Sequence, residues 1–227
     1  MSQLATKVPA EATQDRRGTA PEDIAGEIRD SIGRGVLAPN LQLRQEELAS
    51  RFSVSRVPVR EALKILAAEG FVNHDPRRGF FVAPVSSSEM QDLYLARRLL
   101  ESELLRTLEW PSAEEADALR RHLDDMQSAA EAEDVNRYAV VHAEFHNAVF
   151  DLSPRKVLKR EAMRLWSLTD RYRSLRPRRV GPQSVEWERE LLALIEAQDR
   201  EGLLALFEED RKAIEASLAQ VLAEREL

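Results

Sequence analysis

The chain contains no cysteine among its 227 residues. That absence excludes disulfides, thiolate metal sites and cysteine nucleophiles, and it fits a cytoplasmic protein. The opening stretch MSQLATKVPAEATQDRRGTA lacks the apolar core of a secretory signal. No apolar run approaches the roughly 18 residues of a membrane span, so no membrane association is expected. There is no HExxH, no Gly-rich phosphate-cradling loop and no nucleophile–base arrangement, which argues against an enzyme. What remains is 43% hydrophobic and 32% charged, enough for a packed core and against wholesale disorder.

The net charge of −7 hides an asymmetry. Residues 1–84 carry 12 Lys and Arg against 11 Asp and Glu, a balance of +1, whereas residues 85–227 carry 21 against 29, a balance of −8. An anionic polymer such as DNA would therefore be met by a local patch in the first part and repelled by the second.

Residues 1–18 are small, polar and aperiodic and read as a tail. Residues 19–84 follow a different pattern. Thr19 can cap a helix, Pro21 suits its first turn, Ile24, Ile28 and Ile32 recur every four residues, and Gly35 stands where it would stop. After a Pro-Asn turn, RQEELASRF makes a second helix. SVSRVPVREALKILAAEG makes a third, capped by Ser55, tolerant of Pro58 in its first turn and ended by Gly70. The two β-rich pieces FVNH and FFVAP flank the turn DPRRG as a hairpin. This is the order of a winged helix-turn-helix. Arg56 and Arg60 lie four apart near the start of the third helix, the end that enters a major groove, and Arg77, Arg78 and Gly79 form the hairpin tip. Each arginine alone is as readily a solvated surface charge. Together, on the two elements that such a fold presents to a duplex, they point to double-stranded DNA.

From residue 85 the pattern is entirely helical, with segments expected near 87–109, 112–132, 135–152, 154–175, 184–198 and 200–224. Short links between them make a six-helix bundle, whose interior can hold ligands and metals. The expected fold is thus mostly α: a winged helix-turn-helix at 19–84, then an all-α ligand-binding domain at 85–227.

Four polar residues interrupt the apolar faces of that bundle. His142 and His146, half of the chain's 4 histidines, share a helix face with Ala139 and Val149. Glu188 precedes Leu191, Leu192 and Ile195, and Asp210 falls among Leu203, Leu206, Phe207, Ala213 and Ile214. A buried carboxylate is costly unless paired or bound to a cation, so two imidazoles and two carboxylates on three helices suggest a divalent ion such as Zn, Mn or Ni. Helix-boundary solvation or salt bridging is the other explanation of each. Arg97 stands on the stripe Met90, Leu93, Leu100, Leu104. It either clamps an effector carboxylate or bonds Glu101, one turn later. A larger effector held directly by these residues, without metal, is the rival to the metal site.

The string EELASRFSVSRVPVREALKILAAEGFV, followed by PRRGFFV, resembles the DNA-binding signature of GntR-family transcription regulators. RRLLE, EFHNAVF and IEAQD resemble shorter signatures of the branch with an all-helical FCD effector domain. The resemblance implies a homodimer whose recognition helices read a palindromic operator, usually as a repressor, and a helical pocket for a small carboxylate-containing effector with a divalent metal. It places Arg56 and Arg60 on operator-reading positions, Gly79 on the wing glycine, and His142, His146, Glu188 and Asp210 on the metal-ligand positions. The family pattern there is one Asp followed by three His. Here His142 replaces the Asp, while Glu188 and Asp210 replace histidines, which shifts preference toward harder ions such as Mn²⁺. Glu46 stands where an operator-contacting arginine is common, and Arg44 is its nearest substitute.

Overall fold

The computed structural model describes residues 20–173 and 180–224. The expected tail at 1–18, the Thr19 cap and the first half of the RPRRVGPQ break lie outside the described residues. The chain divides after Pro84 into two compact units.

In the first unit, α1 (Pro21–Gly33) buries Ile24, Ile28 and Ile32 along one face, as their spacing requires. Gly35 turns the chain at φ +74° just beyond it, and Asn40 adopts φ +66° in the Pro-Asn turn, a conformation that asparagine tolerates. The second helix, α2 (Gln45–Phe52), passes through a left-handed Ser53 into α3 (Arg56–Glu69). Val59, Ala62, Leu63 and Leu66 form the buried face of α3, and Gly70 closes it at φ +88°. Ser55 corrects the sequence expectation. It occupies the N-cap position of α3, but its side chain makes no capping hydrogen bond. The third residue of the helix is Pro58, which has no N–H to offer such a cap.

Three short antiparallel strands complete this unit: β1 (Gln42–Leu43), β2 (Val72–Asp75) and β3 (Gly79–Val82), in the order β1-β3-β2. The β2–β3 hairpin is the expected one. Two residues are too few to show an alternation, so β1 escapes the sequence reading. It forms because β3 offers an edge, on which Gln42 pairs with Phe81 and Leu43 with Phe80. Gln42 Nε2 also donates to the Arg78 carbonyl at 2.7 Å, fastening the hairpin tip to the segment that enters α2.

The second unit holds six α-helices among the described residues: α4 (Ser87–Thr107), α5 (Ala113–Glu131), α6 (Val135–Asp151), α7 (Lys156–Arg173), α8 (Glu186–Glu196) and α9 (Arg200–Glu224). A short 3-10 turn, Pro182–Val185, precedes α8. Caps fix several of the starts. Ser86 accepts from the Glu89 N–H, Ser112 and Glu115 form a reciprocal capping box, and Asp134 accepts from the Arg137 N–H. α4 packs on α7 and α9 while α5 packs on α6, around a core that includes Leu104, Met126, Phe145, Val149, Ile195 and Phe207. Arg200, in the first turn of α9, donates to the carbonyls of Leu105, Arg106 and Leu108 at 2.7, 2.8 and 2.9 Å. It thereby satisfies carbonyls that the end of α4 leaves without helical partners.

Candidate functional site

On the first unit, Gln42, Arg44, Glu46, Arg56, Val57, Arg60, Arg78 and Gly79 line one open concavity of about 510 Å³. It is built by three elements: the start of α3, the segment from β1 into α2, and the β2–β3 tip. Arg44, Arg56, Arg60, Arg78 and Gly79 are brought together there; Ser55 and Arg77 stand outside its lining. The tip is held by Asp75, whose Oδ1 accepts from the backbone N–H groups of Arg77 (2.8 Å) and Arg78 (3.1 Å). Gly79 follows at φ +94°, a conformation that side-chain-bearing residues rarely adopt. The arginines are solvent-exposed and lightly held. Arg56 donates to Glu46, Arg44 pairs with Glu47 at 3.3 Å, and Arg60 lies 3.6 Å from Glu61. Such exposed pairs are worth little and yield easily to a phosphate or base edge. Sequence reasoning noticed Glu46 only as a departure; its pairing with Arg56 depends on the fold. It missed Val57 altogether, 60% exposed beside Arg56, where an apolar residue has no packing role.

The second unit contains an inner cavity of about 200 Å³ whose walls include Arg97 and Tyr94 from α4, His142 and His146 from α6, and Trp166 from α7. Trp187 and Glu188 from α8 and Asp210, Arg211 and Ile214 from α9 complete most of the rest. Ligand atoms of His142, His146 and Glu188 lie within 4.8 Å of one another. His142 Nε2 stands 3.0 Å and His146 Nε2 3.9 Å from the same Glu188 oxygen, Oε1. Asp210 lines the cavity but stands outside that trio. Its side chain keeps 26% of its exposure, because the buried stripe of α9 runs through Leu203, Phe207, Arg211, Leu218 and Leu222 instead.

The protonation states follow from burial and contact. Burial holds the His146 imidazole at about 3, so it is neutral at physiological pH. Burial alone would raise the Glu188 carboxyl, but the close His142 imidazole and, less closely, that of His146 reverse this and hold it at about 2. A neutral imidazole and an ionised carboxylate are the forms that donate lone pairs to a cation. Glu188 Oε2 and His146 Nδ1 are buried without a hydrogen-bond partner among the described residues. Buried polar atoms without partners are costly, and a divalent ion would satisfy the carboxylate oxygen. The residues present therefore fit a metal.

Arg97 is almost fully buried and makes the bond to Glu101 that its place on α4 allows. It lines the cavity, yet its Nε and Nη2 donate to Glu101 Oε1 at 2.9 and 2.8 Å and its Nη1 to Thr169 Oγ1 at 2.5 Å. The guanidinium also lies 4.4 Å from the Trp166 ring centre. Arg211 is equally buried and sits on the other oxygen of Glu101, Nε to Oε2 at 3.1 Å, over the Phe207 ring. Sequence reasoning missed Arg211, Thr169 and the two indoles. Only the i, i+4 pair Arg97–Glu101 was visible from spacing.

Comparison with known proteins bears on both units. Residues 21–82 match the family described as bacterial regulatory proteins, gntR family, and residues 92–210 match the FCD domain. The chain is 32% identical over 162 residues to the HTH-type transcriptional repressor GlaR of Escherichia coli K12, covering 67% of this chain and 72% of that one. It is also 32% identical over 155 residues to the HTH-type transcriptional regulator BphR of Paraburkholderia xenovorans LB400, covering 65% of this chain and 63% of that one. Among solved structures, E. coli McbR/YncC superposes with a TM-score of 0.74 at 22% identity, over 90% of this chain and 99% of that one, a likeness of fold. These are domains and relatives of DNA-binding regulators, not of enzymes.

Proposed function

The chain belongs to the GntR family of transcription regulators and carries an FCD domain, and from that premise we propose that it is a ligand-responsive repressor released from operator DNA by a small carboxylate. The observation that carries this reading is the concave face of the first unit, where Arg44, Arg56, Arg60, Arg78 and Gly79 converge from three elements. Arg56 and Arg60 read base edges in the major groove, while Arg44, Ser55, Arg77, Arg78 and Gly79 contact the sugar-phosphate backbone. A homodimer sets two such faces about 34–36 Å apart, one turn of the duplex. The repressor sign is supported by the likeness to GlaR, itself a repressor.

In the second unit, His142, His146 and Glu188 hold a divalent ion such as Zn, Mn or Ni, with Asp210 at the margin of the set. The ion supplies a positive centre for an anionic effector. The chain's own residues do the rest: the indoles of Trp166 and Trp187 keep water from the imidazoles, and the Arg97–Glu101 pair holds α4 against Thr169 of α7. A second reading, with no metal, draws support from the direct 3.0 Å contact between His142 and Glu188.

Arg56→Ala tests the DNA-binding half. In gel-shift titrations at fixed salt on a fragment from upstream of the protein's own gene, the variant is expected to lose about 1–3 kcal/mol and to discriminate less against random duplex. Identical binding by variant and wild type to both DNAs would remove Arg56 from the interface.

A further inference from the structure

We propose that Arg211, rather than Arg97, receives the effector's carboxylate, and that the effector is a small monocarboxylate. This rests on reading the inner cavity as the effector site and goes beyond it by naming the receiving residue and the ligand's charge. The two arginines share Glu101 but are not equivalent. Three of the five N–H groups of Arg97 already donate, one from each nitrogen, to Glu101 or to Thr169, so no two of its nitrogens are both unengaged. Arg211 is 4% exposed and lines the cavity, yet its close ion pair engages only Nε, 3.1 Å from Glu101 and without the geometry of a hydrogen bond. Beyond that, Nη1 lies 4.0 Å from Asp210, too far for a hydrogen bond. Its two terminal nitrogens thus make no hydrogen bond among the described residues. A buried guanidinium with two parallel donors left over is the fork that a carboxylate fits. Phe207, 4.4 Å from the guanidinium, and Glu101 fix its plane.

Charge and size narrow the class. Arg211 offers the cavity a single spare fork, whereas Glu188 and Asp210 line the same cavity with carboxylates that a second carboxylate of the ligand would meet. The cavity of about 200 Å³ has room for about seven water-sized groups, well below a drug-sized site.

The full chain, loaded with Mn²⁺, is titrated calorimetrically with butanoate and with butanedioate, which differ by one carboxylate at equal carbon number. Wild type is expected to bind butanoate at least tenfold more tightly than butanedioate. Arg211→Gln is expected to weaken butanoate at least tenfold with Mn²⁺ uptake unchanged. Arg211→Lys keeps the ion pair with Glu101 but presents no fork, so it is expected to fold and still lose butanoate affinity at least fivefold. Wild-type butanoate affinity in both variants, or tighter binding of butanedioate, overturns this proposal and leaves the cavity reading standing. Failure of both probes to bind wild type, with or without Mn²⁺, takes the cavity reading down with it.

Discussion

Glu101→Leu is expected to cost about 3–5 kcal/mol of folding stability. Glu101 is fully buried and both its oxygens are committed, Oε1 to Arg97 and Oε2 to Arg211, each of those cations being nearly as buried as itself. Removing it strands two guanidinium charges among Trp166, Phe207 and Tyr94, with Thr169 as the one hydrogen-bond acceptor left to Arg97 among the described residues. At about 2–4 °C per kcal/mol for a protein of this size, the thermal midpoint should fall by roughly 10 °C. Replacing all three groups together, as Arg97→Met, Glu101→Leu and Arg211→Met, should recover most of the loss, because no charge is left to desolvate. Urea unfolding followed by circular dichroism decides both. A single variant within 1 kcal/mol of wild type would mean that water reaches the pair.

The second large effect is on metal content. Wild-type protein incubated with Mn²⁺ and desalted is expected to retain one ion per chain, and the His142→Ala/His146→Ala variant to retain none, an affinity loss of roughly a hundredfold or more. Elemental analysis reads this directly. His142, His146 and Glu188 are the only group of such donors within 4.8 Å among the described residues, so removing two of three leaves nothing for the ion to hold. Equal metal in wild type and variant would place the ion elsewhere. None in either would favour the reading in which the His142–Glu188 contact is simply a hydrogen bond.

How much of this was legible beforehand differs by element. Helices were visible wherever a four-residue apolar rhythm ran long enough, as in Ile24, Ile28, Ile32, and wherever a capping residue announced the start, as Ser112 with Glu115 does. β1 was not, since its two residues exist as a strand only through β3. The Ser55 cap was misjudged because the consequence of Pro58 three positions later was not followed through. His142, His146 and Glu188 could be picked out as polar residues on apolar faces, a signal that needs only helical periodicity. Arg211 was hidden for the opposite reason. On α9 the sequence stripe through Asp210 and the stripe that actually faces inward differ by about 100° of helix rotation, one residue, and packing against α4 sets that rotation. An arginine beside an aspartate in a charge-rich helix reads as surface until the neighbour is known.

Two of the chain's three tryptophans, Trp166 and Trp187, stand in the cavity wall, while Trp110 lies away from it beneath Arg200. The protein therefore carries its own optical reporter. A paramagnetic ion seated beside those indoles quenches most of the intrinsic emission, a diamagnetic one shifts it, and the distant indole supplies a constant background. Occupancy can be followed in an unlabelled sample, in the same cuvette in which DNA is added.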